Sequence, residues 1–232
     1  MSRKGSLGIL LLSLMILMGC SRKEDYVYPP VALEFLTAKV GNDGRLSTIL
    51  TDRGEQYEVT EDRTGFQGVA DKEVRIIANY EVLPDNGGAS ARVYALRETL
   101  SLDPVLASSL ENGVKTDPAE VVSIWTGREY LNIILSLMAK DRIHRFHFIE
   151  EQVSEDVDSR MVKILLYHDA DGDMEAFSKR AYLSIPLRKY LVDIGTKKLL
   201  VGFEYYRRDR SGALVKESRY ANPGFEYIPN KD

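Results

Sequence analysis

Cysteine is almost absent from this sequence of 232 residues, in which Cys20 is the single thiol. One thiol excludes a disulfide-stabilised scaffold and any zinc or iron–sulfur site that is built from several thiolates. The sequence also has no large excess of either charge, because 31 basic residues stand against 35 acidic ones. Hydrophobic residues make up 44% of the chain. This composition excludes a disordered chain, a collagen, a coiled coil and a multi-span membrane protein. It leaves one large or two small globular domains.

One long hydrophobic run is present, and it lies at the N-terminus. It extends from Leu7 to Met18, follows Arg3 and Lys4, and ends before Cys20. A basic head, a short hydrophobic centre and a small residue at the cut predict a secretory signal peptide over residues 1–19. The run is too short for a permanent membrane-spanning helix.

The residues around the predicted cut resemble a bacterial lipobox. Leu17 stands three residues before Cys20 and Gly19 stands directly before it, whereas Met18 departs from the usual small residue. The resemblance implies that Cys20 carries several acyl chains, which anchor a protein more stably than one chain does. The membrane is then a partner through these chains. The alternative is an ordinary cleaved signal followed by an incidental cysteine.

Residues 20–30 are predicted to form a lipidated tether. Lys23-Glu24-Asp25 resembles the acidic signal that sends some Bacteroidetes lipoproteins to the outer face of the outer membrane. The alternative is a plain linker on a periplasm-facing protein. Loss of Arg3 and Lys4 with the leader changes the formal net charge from −4 to −6. An acidic chain of this kind argues against nucleic acid as a partner.

Period-two alternation of hydrophobic residues predicts an all-β protein, since no long helical period follows residue 25. Short Asx-Gly and Ser-Gly turns separate the alternating runs, as in antiparallel barrels and sandwiches. The alternating runs are Val74 to Val82, Leu131 to Leu137 and Leu199 to Tyr205, and the turns include Asp52-Arg53-Gly54, Asp85-Asn86-Gly87-Gly88, Asp171-Gly172 and Ser211-Gly212.

Two Asp-Pro pairs, Asp103-Pro104 and Asp117-Pro118, bracket a stretch without alternation. Proline cannot donate to a sheet ladder, so strands should end there. About five strand candidates precede this stretch and about seven follow it, which suits a small barrel and then a sandwich. The predicted domains are a barrel over residues 31–103, a linker over 104–120 with a short helix near Val105 to Leu110, and a sandwich over 121–229.

Three segments carry a resemblance to a known family. Trp125 to Asn132 reads Trp-Thr-Gly-Arg-Glu-Tyr-Leu-Asn, His168 to Asp173 reads His-Asp-Ala-Asp-Gly-Asp, and Tyr182 to Leu187 reads Tyr-Leu-Ser-Ile-Pro-Leu. With the lipobox, they resemble the NigD-like lipoproteins of the Bacteroidetes over the mature chain. The resemblance implies an N-terminal OB-type five-stranded barrel and a C-terminal immunoglobulin-like β-sandwich. It implies little about activity and supplies no catalytic residues. The family is named after a bacteriocin gene cluster, whose context suggests an immunity-type role.

Asp169, Asp171 and Asp173 form the best metal candidate, because alternate acids can wrap calcium as in an EF-hand loop. That loop needs Gly at its sixth position and Glu at its twelfth, where this chain has Met174 and Arg180. The favoured interpretation is therefore an acidic hairpin turn, without a metal or another cofactor.

The three histidines do not suggest a metal site either. His144 and His147 would point to opposite faces of one strand, and His168 ends a different strand. All three are predicted to lie at the surface or at a sheet edge.

Trp125 and Tyr130 are the candidate ligand-binding residues, because two aromatic rings could form a stacking platform for a sugar or a peptide. The alternative is that Trp125 fills the sandwich core or the domain junction. The sequence has no Gly-x-Ser-x-Gly motif and no glycine-rich phosphate loop, which argues against an enzyme.

The sequence therefore predicts a cell-envelope lipoprotein that binds a protein or peptide partner, in an accessory or immunity-like role. The alternative is a carbohydrate-binding surface lipoprotein, and a hydrolase hidden in the sandwich is the third hypothesis.

Overall fold

The computed structural model describes residues 31–84, 89–195 and 197–220. The predicted signal peptide over 1–19, the tether over 20–30 with Cys20, the turn Asp85 to Gly88 and the end of the predicted sandwich after residue 220 lie outside the described residues. In the part that is described, no helix is long and apolar enough to cross a membrane.

The first five strands form a closed barrel in the order β1-β2-β3-β5-β4, with β4 returning to β1. Strands β3 and β5 run parallel, and the other neighbours are antiparallel. This is the predicted OB-type barrel. Its strands are β1 (Ala32–Val40), β2 (Leu46–Thr51), β3 (Gln56–Asp62), β4 (Glu73–Pro84) and β5 (Ala89–Glu98).

The barrel interior is filled by one face of each long strand. On β4 the alternate residues Ile76, Ala78 and Tyr80 are buried in the barrel core, as the period of two predicts. The opposite face of β4 carries Arg75 and Ile77 to the outside of the barrel. Both of those residues are nevertheless buried, at 4% and 7% exposed. Part of the barrel exterior is therefore covered by something else.

Seven strands form a two-sheet sandwich within the described residues. One sheet has the order β10-β7-β6, and the other has the order β12-β11-β9-β8, in which β9 and β11 run parallel. The prediction of an all-β chain with a barrel and a sandwich is confirmed. The elements are β6 (Glu120–Gly127), β7 (Tyr130–Ala139), β8 (Arg145–Glu155), β9 (Ser159–Asp169), β10 (Phe177–Pro186), α1 (Arg188–Leu191), β11 (Lys198–Arg208) and β12 (Leu214–Tyr220).

The sheet β10-β7-β6 is covered on both faces. Leu131, Ile133 and Leu135 of β7 point into the sandwich core, where they meet Val201 and Phe203 of β11. The opposite face of this sheet lies against the barrel exterior. Because each buried aliphatic side chain contributes about 1.5–3 kcal/mol, these alternating residues account for much of the sandwich stability.

The segment between barrel and sandwich packs onto the second sheet. The amide of Val105 donates to the Phe148 carbonyl, and the amide of His168 donates to the Lys115 carbonyl. The predicted short helix is a single 3₁₀ turn at Ala107–Ser109. Side chains of this segment cover a small outer cluster that consists of Ile149, Leu165 and Tyr167.

Candidate binding groove at the domain junction

Arg75 joins the barrel to the sandwich. It leaves β4 on the barrel exterior, and its side chain is only 2% exposed. Its Nε donates to Ser184 Oγ (2.9 Å) and its Nη1 donates to Thr37 Oγ1 (3.2 Å). Its Nη2 donates to both carboxylate oxygens of Asp52 (2.6 Å each) and to Asn132 Oδ1 (3.1 Å). Residues of both domains thus solvate one guanidinium group.

The partners of Arg75 are also bonded to one another. Asn132 Nδ2 donates to Asp52 Oδ2 (2.6 Å), and Ser184 Oγ donates to Asn132 Oδ1 (2.7 Å). The Tyr130 ring lies 4.2 Å from the Arg75 guanidinium carbon, in cation–π geometry. Buried charges are stable when they are paired and hydrogen-bonded, and here Asp52 pairs with Arg75 and each guanidinium nitrogen has an acceptor.

Gly127 allows the Asp52 turn to reach the sandwich. A Cβ atom on Gly127 would lie 2.3 Å from the Cβ and Oδ2 atoms of Asp52. Asp52 starts the predicted Asp52-Arg53-Gly54 turn, in which Gly54 has a φ of +92°. Glycine at position 127 is therefore needed for close approach of the two domains.

The two predicted ligand-binding aromatics both lie at this junction. Trp125 is half-buried and packs edge-on against Phe35 of the barrel, with ring centroids 5.2 Å apart and ring planes at 84°. Phe35 and Tyr182 meet at 61° over 6.3 Å. Tyr130 is held by Arg75 as described above. These rings do not form the flat, coplanar surface on which a sugar stacks, so no geometric observation favours the carbohydrate alternative.

An open groove runs beside the network. Two cavities of about 360 and 250 Å³ share Leu33, Ile77 and Tyr182. One wall is the exterior of β1, β4 and β5, and the other wall is formed by β6, β7 and β10. We call this feature the junction groove, and its apolar floor consists of Leu33, Phe35, Ile77, Leu96, Trp125 and Tyr182.

His144 and His168 contradict their sequence-based prediction. The His168 residue is 1% exposed, the His144 side chain is 5% exposed, and His144 Nδ1 lies 2.8 Å from His168 Nε2. The prediction of surface or edge histidines is wrong for these two, because the loop after β7 folds over the end of β9. His147 is exposed, edge-on to the Tyr167 ring at 5.5 Å.

The ends of this histidine pair contact oxygen atoms that only accept. His144 Nε2 lies 3.2 Å from Asp173 Oδ2, and His168 Nδ1 lies 2.9 Å from the Asp117 carbonyl. The outer nitrogens, His144 Nε2 and His168 Nδ1, therefore donate these two hydrogen bonds. Burial lowers the pKa of His168.

Asp173 is the buried carboxylate beside this pair. Its side chain is 1% exposed and accepts the amides of Lys140 (2.6 Å) and Asp141 (3.3 Å), besides the His144 contact. Although burial opposes ionisation, these hydrogen bonds together hold the carboxyl pKa well below its ordinary value of 3.8.

The other two candidate metal ligands are engaged elsewhere. Asp169 accepts the amide of Asp171 (2.9 Å), and the Asp171 carboxylate faces Arg142 (3.7 Å) and Arg145 (3.4 Å). Asp171 has a φ of +54°, as the predicted turn requires. Across the described ranges, no group of three or more His, Cys, Asp and Glu side chains is arranged to hold a metal.

Another carboxylate pair lies on the outer face of the second sheet. Glu151 and Glu204 both contact the ammonium group of Lys216. Burial and the adjacent Glu204 raise the pKa of Glu151, whereas hydrogen bonds from neighbours including Lys216 outweigh burial and lower that of Glu204. A glycosidase places its two carboxyl groups on opposite sides of the scissile bond. Here both converge on one ammonium group, so the pair does not resemble that arrangement.

Sequence reasoning missed the residues that form the junction network. Arg75, Asp52 and Ser184 lie on three separate segments, and each looks like an ordinary polar residue at a strand or a turn. The sequence offered one signal. Arg75 shares a face of β4 with the hydrophobic residue Ile77, which indicates that this outer face of the barrel is covered, and both residues are buried.

The fold and the groove define a class of protein in which a closed OB-type barrel is joined to a two-sheet sandwich. Residues 102–211 of this chain match the family described as the NigD-like C-terminal β-sandwich domain. The crystal structure of a NigD-like immunity protein from Bacteroides caccae is 41% identical, with a TM-score of 0.77. That match covers 88% of this chain and 100% of the other. The chain belongs to the NigD-like family, which confirms the resemblance seen in its sequence.

Two further crystal structures share the fold at low identity. A protein of unknown function from Bacteroides vulgatus is 14% identical, with a TM-score of 0.63, and the match covers 87% of this chain and 92% of that one. A protein from Bacteroides fragilis described as a candidate lipoprotein is 11% identical, with a TM-score of 0.59, and the match covers 83% and 97%. No curated protein matches the chain.

Gly127→Ala is expected to destabilise the protein. The new Cβ atom displaces Asp52 and leaves Arg75 buried without its carboxylate, which costs about 3–5 kcal/mol. Urea unfolding of the purified protein measures this loss. Val122→Ala on the same strand, at a side chain that is 50% exposed, is the control and should change little. A Gly127→Ala protein as stable as this control would contradict the structural role of the network.

Asp173→Asn is expected to lower stability at neutral pH. The pKa of the Asp173 carboxyl is lower in the folded state than its ordinary 3.8, so the ionised group stabilises the fold above that pH range. This contribution is lost as pH falls below 3.8 towards the folded-state pKa. Urea midpoints of wild type and variant should therefore differ at pH 7 and converge in acid. Asp141→Asn on the same loop is the control, and a constant difference at all pH values would contradict the assignment.

Proposed function

We propose that this chain is a non-catalytic, immunity-like accessory protein of the cell envelope, anchored by acyl chains on Cys20. The observation that carries the proposal is the likeness to the NigD-like immunity protein of Bacteroides caccae, at 41% identity over 100% of that chain. The similarity extends over both domains, and this supports a shared function. A function that one domain performed alone would not require similarity in the other domain.

The chemistry of the junction supports binding in place of catalysis. The charged groups there hold the two domains together, and Arg75 has no face turned to open space. Within the described ranges, no buried side-chain nitrogen or oxygen is left without a hydrogen-bond partner. Catalytic side chains commonly lie in a cleft and have perturbed pKa values. The groove here offers apolar and aromatic side chains with arginines at its rim.

The N-terminal sequence supports the anchor. A hydrophobic leader ending at Gly19-Cys20 provides the acceptor for lipid, and Ser21 to Pro30 provides a tether between the membrane and the first strand at Ala32. The acidic Lys23-Glu24-Asp25 segment supports display on the outer face of the outer membrane. An anchored protein meets a partner at that surface at a raised local concentration.

Cys20→Ala is expected to release the protein from membranes, because the acyl acceptor is removed. Fractionation of cells measures the membrane-bound share, and protease added to intact cells measures surface display. Ser21→Ala is the matched control and should remain membrane-bound. An unchanged distribution of Cys20→Ala would contradict the lipid anchor, and protection of the wild type until lysis would place the protein on the periplasmic side.

Deletion of the gene is expected to sensitise cells to one specific toxin, with resistance restored by the wild-type chain. Growth across a panel of bacteriocins from related strains measures the effect. Complementation with Ser21→Ala serves as the positive control. Unchanged sensitivity across the whole panel would contradict the immunity-like role.

A further inference from the structure

The junction groove leaves apolar side chains uncovered. Leu33 is 63% exposed although it lies on a barrel strand, because it points to the barrel exterior, away from the core. Next to it, Phe35 and Ile77 are covered by the sandwich, so the same apolar face passes from buried to open. An exposed apolar surface that continues a buried interface is typical of a binding site.

Two arginines stand above this floor, one from each domain. Arg97 of β5 has its guanidinium carbon 5.9 Å from the Tyr182 ring, and Arg180 of β10 lines the groove on the sandwich side. Among the described residues, neither forms an ion pair with a carboxylate, whereas Arg53 on the same groove is paired with Glu34 (3.0 Å). Asp52, the other acid of the groove, is paired with Arg75, so the two unpaired cations beside an apolar floor favour an anionic ligand.

The barrel wall restricts how a ligand binds. All five barrel strands are paired on both sides, so the barrel wall of the groove has no open edge to which a peptide strand could add. Recognition at this wall therefore uses side chains that enter the groove. Its aromatic rings stand edge-on, at 84° and 61°, which suits an inserted apolar side chain better than a flat sugar ring.

We propose that the junction groove binds an acidic peptide segment of a protein partner, in which carboxylates flank one apolar or aromatic side chain. The apolar side chain would lie on Leu33 and Tyr182, and the carboxylates would pair with Arg97 and Arg180. Two cations on separate domains favour a ligand with two anionic groups, which a single fatty acid lacks. The inference rests on the proposed function, because it names the surface by which an accessory protein of this kind meets its partner.

Trp125 provides the readout, because it is the single tryptophan of the chain and lines the groove. The probe is a Gly/Ser-flanked Glu-Phe-Glu peptide, which lacks Trp and Tyr, titrated into the purified protein at low salt. We expect saturable change in Trp125 emission, affinity that falls with added salt, and at least tenfold weaker binding of Lys-Phe-Lys and Glu-Ser-Glu peptides. Equal binding of the three peptides would overturn the inference.

Charge reversal tests the two arginines. Arg97→Glu with Arg180→Glu should weaken Glu-Phe-Glu binding at least tenfold, whereas Arg210→Glu at a distant exposed turn should not. If the double variant does not fold, the single Arg97→Gln and Arg180→Gln variants are each expected to weaken binding several-fold. Unchanged affinity in folded variants would overturn the inference. Laurate and an oligogalacturonate are titrated in parallel, as a fatty acid and an acidic sugar. Tighter binding of either one than of the Glu-Phe-Glu peptide would also overturn the inference.

A photo-crosslinker in living cells separates failure of this inference from failure of the proposed function. Placed at Leu33, it should capture a protein partner, and the charge-reversal variant should lose that product. Capture from Val122 on β6 and not from Leu33 would overturn the groove assignment while the binding role remains. Capture from neither position, together with no toxin phenotype on deletion of the gene, would contradict both the groove assignment and the proposed function.

Discussion

The Arg75–Asp52 ion pair is the interaction on which the arrangement of the two domains depends. A guanidinium group that is almost fully removed from water costs several kcal/mol unless its donors are satisfied. Here the acceptors come from β1, from the turn after β2, and from β7 and β10 of the sandwich. Separation of the domains would expose that charge to water or leave it without some of its hydrogen-bond acceptors. Barrel and sandwich consequently lie in one compact unit, with the groove between them.

The sheet β10-β7-β6 places one short segment in contact with both domains. Its residues alternate between two buried environments, so Leu131 belongs to the sandwich core while Asn132 belongs to the junction. Within the same segment Trp125 packs on the barrel, Gly127 admits Asp52, and Tyr130 supports Arg75. The Trp-Thr-Gly-Arg-Glu-Tyr-Leu-Asn segment is thus a domain-joining element, through the contacts of Trp125, Tyr130 and Asn132 and the close approach at Gly127.

The His-Asp-Ala-Asp-Gly-Asp segment has a comparable structural role at the far end of the sandwich. Its first and last residues form a buried hydrogen-bonded cluster with His144, whereas Asp171 forms the exposed tip of the turn. Two motifs that suggested ligand or metal chemistry therefore stabilise the fold. Leu33, Arg97 and Arg180 belong to neither motif and remain exposed in the junction groove.

Periodicity and turn residues were sufficient to predict the all-β class, the barrel of five strands and the sandwich of seven, because alternation of side chains is a local property of strands. They also predicted the burial of Ile133 and Phe203. They could not predict that Arg75 meets Asp52, or that His144 meets His168, since those pairs are 23 and 24 residues apart and lie on different segments. The groove was equally hidden. Its floor combines barrel and sandwich residues, and only packing of one domain on the other brings these residues together.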